Sequence, residues 1–392
     1  MTFQYEYSSF SNSQDIQQLG EITRQCFGGS PSDWEYYLNL IGAENFRILR
    51  QGEKAIAGLA ILPMGQWFGG KIVPMAGIAA VGVLPEARGK GAARELLNNT
   101  IKELHSLEIP ISALYPATQV LYRQVGYEQG GSLCQWELPT ASIQLKERHL
   151  PMHRVGLSDR SIFENLYNQQ AQVNNGNLAR NSAIWSRILE PRQEEEIYAY
   201  LIGSENAPRG YIIFIQNRDK KEKAIEIRDW ALLDVSAAKR LWTFLSDHRS
   251  EIVGINWRGS SVNPFTLLLP EQTAKIIRQT IWMLRIINVS LALSLRGYPL
   301  QLEAELHLDV SDNLIATNNG KFCLQVSQGR GEVSQGGKGD FKIDIRSLAS
   351  LYTSFLSPRQ LHSLGYLQTT PEALAIATLI FAGDRPWMAD FF

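Results

Sequence analysis

The residues with the clearest capacity for chemistry begin at Ala79-Ala80-Val81-Gly82-Val83-Leu84-Pro85, an apolar run with the character of a strand. Arg88-Gly89-Lys90-Gly91-Ala92-Ala93 follows and leads into a segment of helical periodicity. Glycines at alternate positions let backbone amides approach a ligand closely. The start of the next helix leaves its first amides unpaired and presents the positive end of its dipole. That arrangement suits a phosphate or pyrophosphate, and Arg88 and Lys90 add positive charge to it. The run lacks the Gly-Lys-Ser/Thr ending of a Walker loop and the Gly-x-Gly-x-x-Gly spacing of a dinucleotide fingerprint. The same glycines would also serve as ordinary turn residues between a strand and a helix.

A second motif, Leu121-Tyr122-Arg123-Gln124-Val125-Gly126-Tyr127, places a tyrosine on a short helix ended by glycine. A phenol with a pKa near 10 is protonated at neutral pH, so Tyr122 is a candidate proton donor. Tyr115 and Tyr127 read as structural. Neither motif holds a carboxylate or an imidazole suited to be a base. The six histidines fall in no catalytic or metal signature: His149 and His153 are four apart, but His-Glu-x-x-His is absent, so no metal is expected. Trp34 and Tyr37, on a helix opened by Ser30-Pro31-Ser32-Asp33, are candidate walls of a substrate pocket, although aromatics at this spacing also build cores. Asp390 is a candidate partner for a cationic substrate group. It stands in an apolar ending, Trp387-Met388-Ala389-Asp390-Phe391-Phe392, of the kind that docks rather than frays.

The elements that must position these residues suggest three domains in 392 residues. Residues 1–145 read as α/β, with strands near 46–50, 55–62, 72–83, 111–115 and 133–138. Residues 146–285 repeat the order loosely. At the position of the glycine turn they read Asp234-Val235-Ser236-Ala237-Ala238-Lys239, with no glycine. Residues 286–392 change character: Leu300, Leu302, Ala304, Leu306, Leu308 and Val310 alternate with polar residues, the period of a half-buried strand. Two helices near 348–356 and 371–382 complete an α+β pattern. A net charge of −1 and the absence of a long basic block argue against a nucleic-acid partner. The run 218–223 is mixed in sign and reads as a solvated hairpin turn. No apolar run long enough to span a membrane is present, and residues 1–13 lack a signal-peptide core. Cys26, Cys134 and Cys323 are far apart and odd in number, as expected of reduced thiols in a cytoplasmic protein.

The glycine turn resembles the acetyl-CoA signature of the GNAT acetyltransferases, and the Tyr122 motif resembles their second signature. Trp282-Met283-Leu284-Arg285-Ile286-Ile287-Asn288-Val289, Arg296-Gly297-Tyr298 and the aromatic ending narrow the resemblance to the Eis (enhanced intracellular survival) acetyltransferases, over essentially the whole chain. The resemblance implies tandem GNAT-like domains, mixed sheets flanked by helices, with the second degenerate, followed by a sterol-carrier-protein-like α+β domain. It implies an N-acetyltransferase that uses acetyl-CoA and passes the acetyl group directly to amines of a small polycationic acceptor such as an aminoglycoside. Implied site residues are Val81 and Val83, through their backbones, for the pantetheine arm and the oxyanion, and Arg88, Gly89, Lys90, Gly91, Ala92 and Ala93 for the pyrophosphate. Tyr122 is the implied general acid and the α-carboxylate of Phe392 the implied base. A homo-hexamer is implied as well. Two alternatives stay open: acetylation of protein lysine or N-terminal amines, and an apolar-ligand carrier with a vestigial first domain.

Overall fold

The structure, a computed structural model, describes residues 5–191, 195–217 and 223–392; of the expected hairpin turn, 218–222 lie outside the described residues. Two compact units form. One comprises Met1–Gly131, Ile281–Asp384 and Phe392, the other Ser132–Thr280 and Arg385–Phe391. The chain therefore leaves the first unit earlier than residue 145. Cys134, Trp136, Leu138 and Ile143 pack into the core of the second unit, and this burial, invisible to local pattern, sets the division.

In the first unit, β1 (Glu6–Ser8) pairs with β2 (Phe46–Gln51), and β2 with β3 (Lys54–Phe68). β3 and β4 (Lys71–Val83) form a long hairpin that turns at Gly69 and Gly70. The sequence reading ends the first of these strands at residue 62, just before Pro63 and Gly65. Their pairing opposite Ala76 and Pro74 instead carries the ladder on to Phe68. Two helices, α1 (Ser13–Phe27) and α2 (Pro31–Ile41), precede β2, and each opens on a reciprocal capping box, Asn12 with Asp15 and Ser30 with Asp33. α3 (Ala92–Ser106) buries Leu96, Leu97, Ile101 and Leu104, as its periodicity predicts. β5 (Ile111–Leu114) runs parallel to β4, and residues 283–286 run antiparallel to β5. The short α4 (Gln119–Gln124) carries Tyr122.

The same unit holds a separate five-stranded sheet in the order Arg330–Gln335, Gly320–Ser327, Ala304–Ser311, Phe341–Asp344, Leu367–Thr369. The alternating strand begins at Ala304 rather than Leu300, which is exposed, and buries Leu306, Leu308 and Val310. In the second unit the sheet order is residues 132–139, Gly254–Gly259, Ala224–Leu232, Ala207–Asn217, Ile197–Ser204, Met152–Arg154. Its core is rich in tryptophan: Trp136 stacks on Trp257 at 5.7 Å, and Trp230 and Trp242 pack beside them. Among the described residues no helix is long and apolar enough to cross a membrane.

Candidate active site

The ladder between β4 and β5 ends at Gly77 opposite Ala113. Beyond it, β4 stays paired only to β3 among the described residues. The β4 register also slips between Ala79 and Gly82, where Ala80 takes a left-handed φ of 51°. A bulge of this kind re-aims a strand, and bulges concentrate at functional sites. The far edge of residues 78–83 is left as a row of backbone groups with no neighbouring strand, a template for another extended chain. Val81 and Val83 lie in this segment, both half-buried. The sequence gives no sign of the bulge, because alanine is not a residue whose presence announces a positive φ.

β4 delivers the chain to the glycine turn. Gly89 (φ 73°) and Gly91 (φ 86°) both adopt conformations that L side chains rarely take, and a Cβ at either would meet nothing within 4 Å. Backbone conformation, not crowding, therefore selects glycine here, and the space over the turn is open. Gly91 is the N-cap of α3 and offers no side chain to its first amides. Ala92 is buried against the domain and Ala93 half-buried, which turns the helix mouth outward. Arg88 and Lys90 are exposed, with Arg88 Nε donating to Val83 O at 3.2 Å and Lys90 Nζ to Glu86 O at 2.8 Å. The turn, the free helix start and two cations fit a pyrophosphate.

Tyr122 is 5% exposed, and its hydroxyl makes no hydrogen bond among the described residues. Burial pushes its phenol up to about 12, so it holds its proton across the physiological range. Its ring packs edge-on to Tyr127 at 6.1 Å. Tyr127 is structural, as expected: it is fully buried and shares a 2.7 Å hydrogen bond with Ser112, which donates to Ala76 O on β4. Gly126 (φ 90°) abuts Arg285, whose Cζ would stand 2.6 Å from a Cβ there. Arg285 is buried and paired with Asp312 at 2.6 Å. These contacts give a physical role to an arginine that entered the sequence reading only through its motif.

Phe392 is buried, and its ring lies where β4 and β5 part. Its Cε2 stands 2.8 Å from where a Cβ on Gly77 would be, and its ring meets that of Tyr115 edge-on at 5.9 Å. Gly77 thus makes room for the last residue, and Tyr115, read as merely structural, forms part of its seat.

The three expected acceptor contacts sit elsewhere. Trp34 is buried in an aromatic cluster with Phe46 at 5.4 Å and Tyr37 at 6.4 Å, and Tyr37 also meets Phe46 at 5.9 Å. Both rings pack α2 against β2, with Trp34 buried and Tyr37 half-buried. Asp390 is buried, and the cation it meets is the chain's own Arg180, at 3.0 Å. Arg180 also pairs with Asp229 at 2.6 Å. Burial raises the Asp390 carboxyl above its ordinary value although Arg180 pulls the other way. The residues on either side of it are tied down within the second unit: Asn177 Nδ2 donates to Trp387 O at 3.0 Å, and Arg187 Nη1 to Phe391 O at 3.0 Å. Asp390 also borders a cavity of about 390 Å³ in that unit, where Arg187, Arg228 and Arg258 stand against Glu195, Glu226 and Asp390. The wall has no excess of acid.

The second unit's counterpart of the glycine turn is closed to phosphate. Asp234 caps the helix Val235–Ser246 by accepting from Ala237 N at 2.9 Å, and it pairs with Arg209 at 2.6 Å. A carboxylate occupies the place an anion would take, as the missing glycines suggest.

Comparison with known proteins bears on this geometry. Residues 9–130 and 176–286 each match an Acetyltransferase (GNAT) domain, and residues 289–389 a Sterol carrier protein domain. A GCN5-related N-acetyltransferase from Anabaena variabilis, known by crystal structure, is 53% identical, covers 99% of this chain and 100% of its own, and superposes with a TM-score of 0.97. N-acetyltransferase Eis of Mycobacterium tuberculosis is 25% identical over 340 residues, 82% of this chain and 81% of the relative. Eis1 from Mycobacterium abscessus shares the fold, with a TM-score of 0.82 at 18% identity over 99% of this chain and 100% of that one.

Proposed function

Because the chain belongs to the GCN5-related N-acetyltransferases and is Eis-like among them, we propose that it acetylates a small polycationic amine, aminoglycosides first, by direct transfer from acetyl-CoA. The observation that carries the reading is the seating of Phe392 at the point where β4 and β5 separate. Acetyl-CoA supplies an activated acyl thioester when bound. The chain's part is to hold its pyrophosphate with Gly89, Gly91 and the amides of Ala92 and Ala93, with Arg88 and Lys90 in support. Backbone groups of Val81 and Val83 would pair with its extended arm, and an amide there would stabilise the oxyanion. The α-carboxylate of Phe392 takes the proton of the attacking amine, and Tyr122 gives one to the departing thiolate. The Phe392 ring is seated beside Gly77 and Tyr115, which supports a docked end for the chain.

The division of labour follows: residues 1–145 supply the glycine turn and Tyr122, 146–285 hold residues 385–391, and 286–392 end in the proposed base. On family likeness the assembly is a homo-hexamer, and the three unpaired cysteines suit the cytoplasm. Light scattering on the purified chain should return six times the chain mass.

Acetyl-CoA-dependent thiol release, run against aminoglycosides, polyamines and a lysine peptide, tests the acceptor. Release with aminoglycosides supports the reading. Release with the peptide alone moves the acceptor to protein amines, and co-purified lipid without CoA affinity moves the function to a carrier. Within this scheme Tyr122→Phe lowers kcat by about 10²-fold or more, typical of a lost general acid. Its thermal midpoint should barely move, because the deleted hydroxyl has no partner to lose. Since the phenol titrates near 12, the wild-type rate should show no alkaline fall from this group below about pH 11. Gly91→Val should raise KM for acetyl-CoA by at least about tenfold, through a strained turn and a blocked helix mouth, and leave the acceptor KM near its wild-type value.

A further inference from the structure

The five-stranded sheet has an apolar face and an outer face. On the outer face, Glu305 and His307 alternate with the buried Leu306 and Leu308 of strand Ala304–Ser311. The neighbouring strand runs antiparallel, with His307 opposite Cys323 and Glu305 opposite Gln325. One donor atom from each of Glu305, His307 and Cys323 lies within 4.8 Å of the other two. His307 Nε2 stands 2.8 Å from Glu305 Oε1, and Gln325 Nε2 donates to the other carboxylate oxygen at 3.0 Å. The imidazole is held from behind. Among the described residues its Nδ1 is buried without a partner, and it abuts Gly337 (φ 98°) so closely that a Cβ there would collide with it. The Cys323 thiol is free of any disulfide and buried.

We infer that Glu305, His307 and Cys323 bind a divalent transition-metal ion, zinc foremost, at a site separate from the glycine turn and Tyr122. A carboxylate, an imidazole and a thiolate supply three tetrahedral ligands, and water completes the set. Sulfur and nitrogen donors select zinc-like ions over magnesium or calcium. Bond lengths of about 2.0–2.3 Å require ligand atoms about 3.3–3.8 Å apart, so the trio needs only side-chain adjustment to close on an ion. Binding breaks the S–H bond of Cys323, sends the proton to solvent and forms a metal–sulfur bond. Gln325 orients the carboxylate. The sequence hides the site because its ligands come from two strands and match no spacing rule; only the register joins them.

Cobalt(II) titration of the reduced full-length chain is the test. One equivalent should produce tetrahedral visible bands and a near-ultraviolet thiolate charge-transfer band, both abolished by added zinc. Cys323→Ser should remove the charge-transfer band, Cys26→Ser should keep it, and His307→Gln should lose the tetrahedral bands while retaining native circular dichroism. Gln325→Leu should weaken binding by about 10–100-fold, as for a lost outer partner. A spectrum without the charge-transfer band, or one that survives Cys323→Ser or vanishes in Cys26→Ser, overturns the assignment and leaves the trio a hydrogen-bonded cluster.

Discussion

A single glycine added after Phe392 should lower kcat by about 10²–10⁴-fold, the usual contribution of a general base, while the chain stays folded. The addition leaves the Phe392 ring free to keep its seat beside Gly77 and Tyr115, but it converts the α-carboxylate into an amide and carries the charge one residue away. Phe392→Ala is the complementary change. It keeps a terminal carboxylate and removes the ring that seats it, so it should lower activity less than the extension does at saturating amine. Equal activity of the extended and native chains would remove Phe392 from the chemistry and leave the glycine turn and Tyr122 standing.

What the sequence made legible was local. The form of the glycine turn is legible because strand, turn and helix start are adjacent and each has its own chemistry: two positive-φ glycines and an uncapped first turn of helix. The degeneracy of the second unit is equally local, a capping aspartate where glycine would be needed. Failures occur where tertiary contact decides. Trp34 and Tyr37 carry the same residue types whether they line a pocket or a core, and only the approach of Phe46 on β2 shows that they pack. Asp390 meets a cation as expected, but that cation is Arg180, 210 positions away. The Ala80 bulge, the Gly77 clearance and the Glu305–His307–Cys323 trio all depend on register between strands, which one strand's sequence does not contain.

Asp312→Ala should destabilise the first unit by about 3–5 kcal/mol, the range for a buried ion pair stripped of one partner. The Arg285 guanidinium is buried, and Asp312 accepts from its Nη2 at 2.6 and 2.8 Å, while Nε and Nη1 find no partner among the described residues. Burial pushes Arg285 down from its ordinary value against the pull of Asp312, so the carboxylate keeps this cation tolerable. The same carboxylate accepts from Leu314 N at 2.9 Å and from Asn318 Nδ2 at 2.9 Å, so its removal leaves several buried donors unmet. Replacing both charges, as in Arg285→Met with Asp312→Leu, should cost clearly less than Asp312→Ala alone, because no buried charge is then left uncompensated. Urea unfolding of Arg285→Met, Asp312→Leu and the double variant gives the coupling directly; additive costs there, or a loss below about 1 kcal/mol for Asp312→Ala, would contradict the argument. The pair also bears on activity, since Arg285 lies against Gly126, which ends the short helix of Tyr122. An unpaired guanidinium will seek another partner or water, and the shift displaces Gly126. In Asp312→Ala, kcat should therefore fall even at temperatures where circular dichroism reports a folded chain, and the double variant should recover part of it.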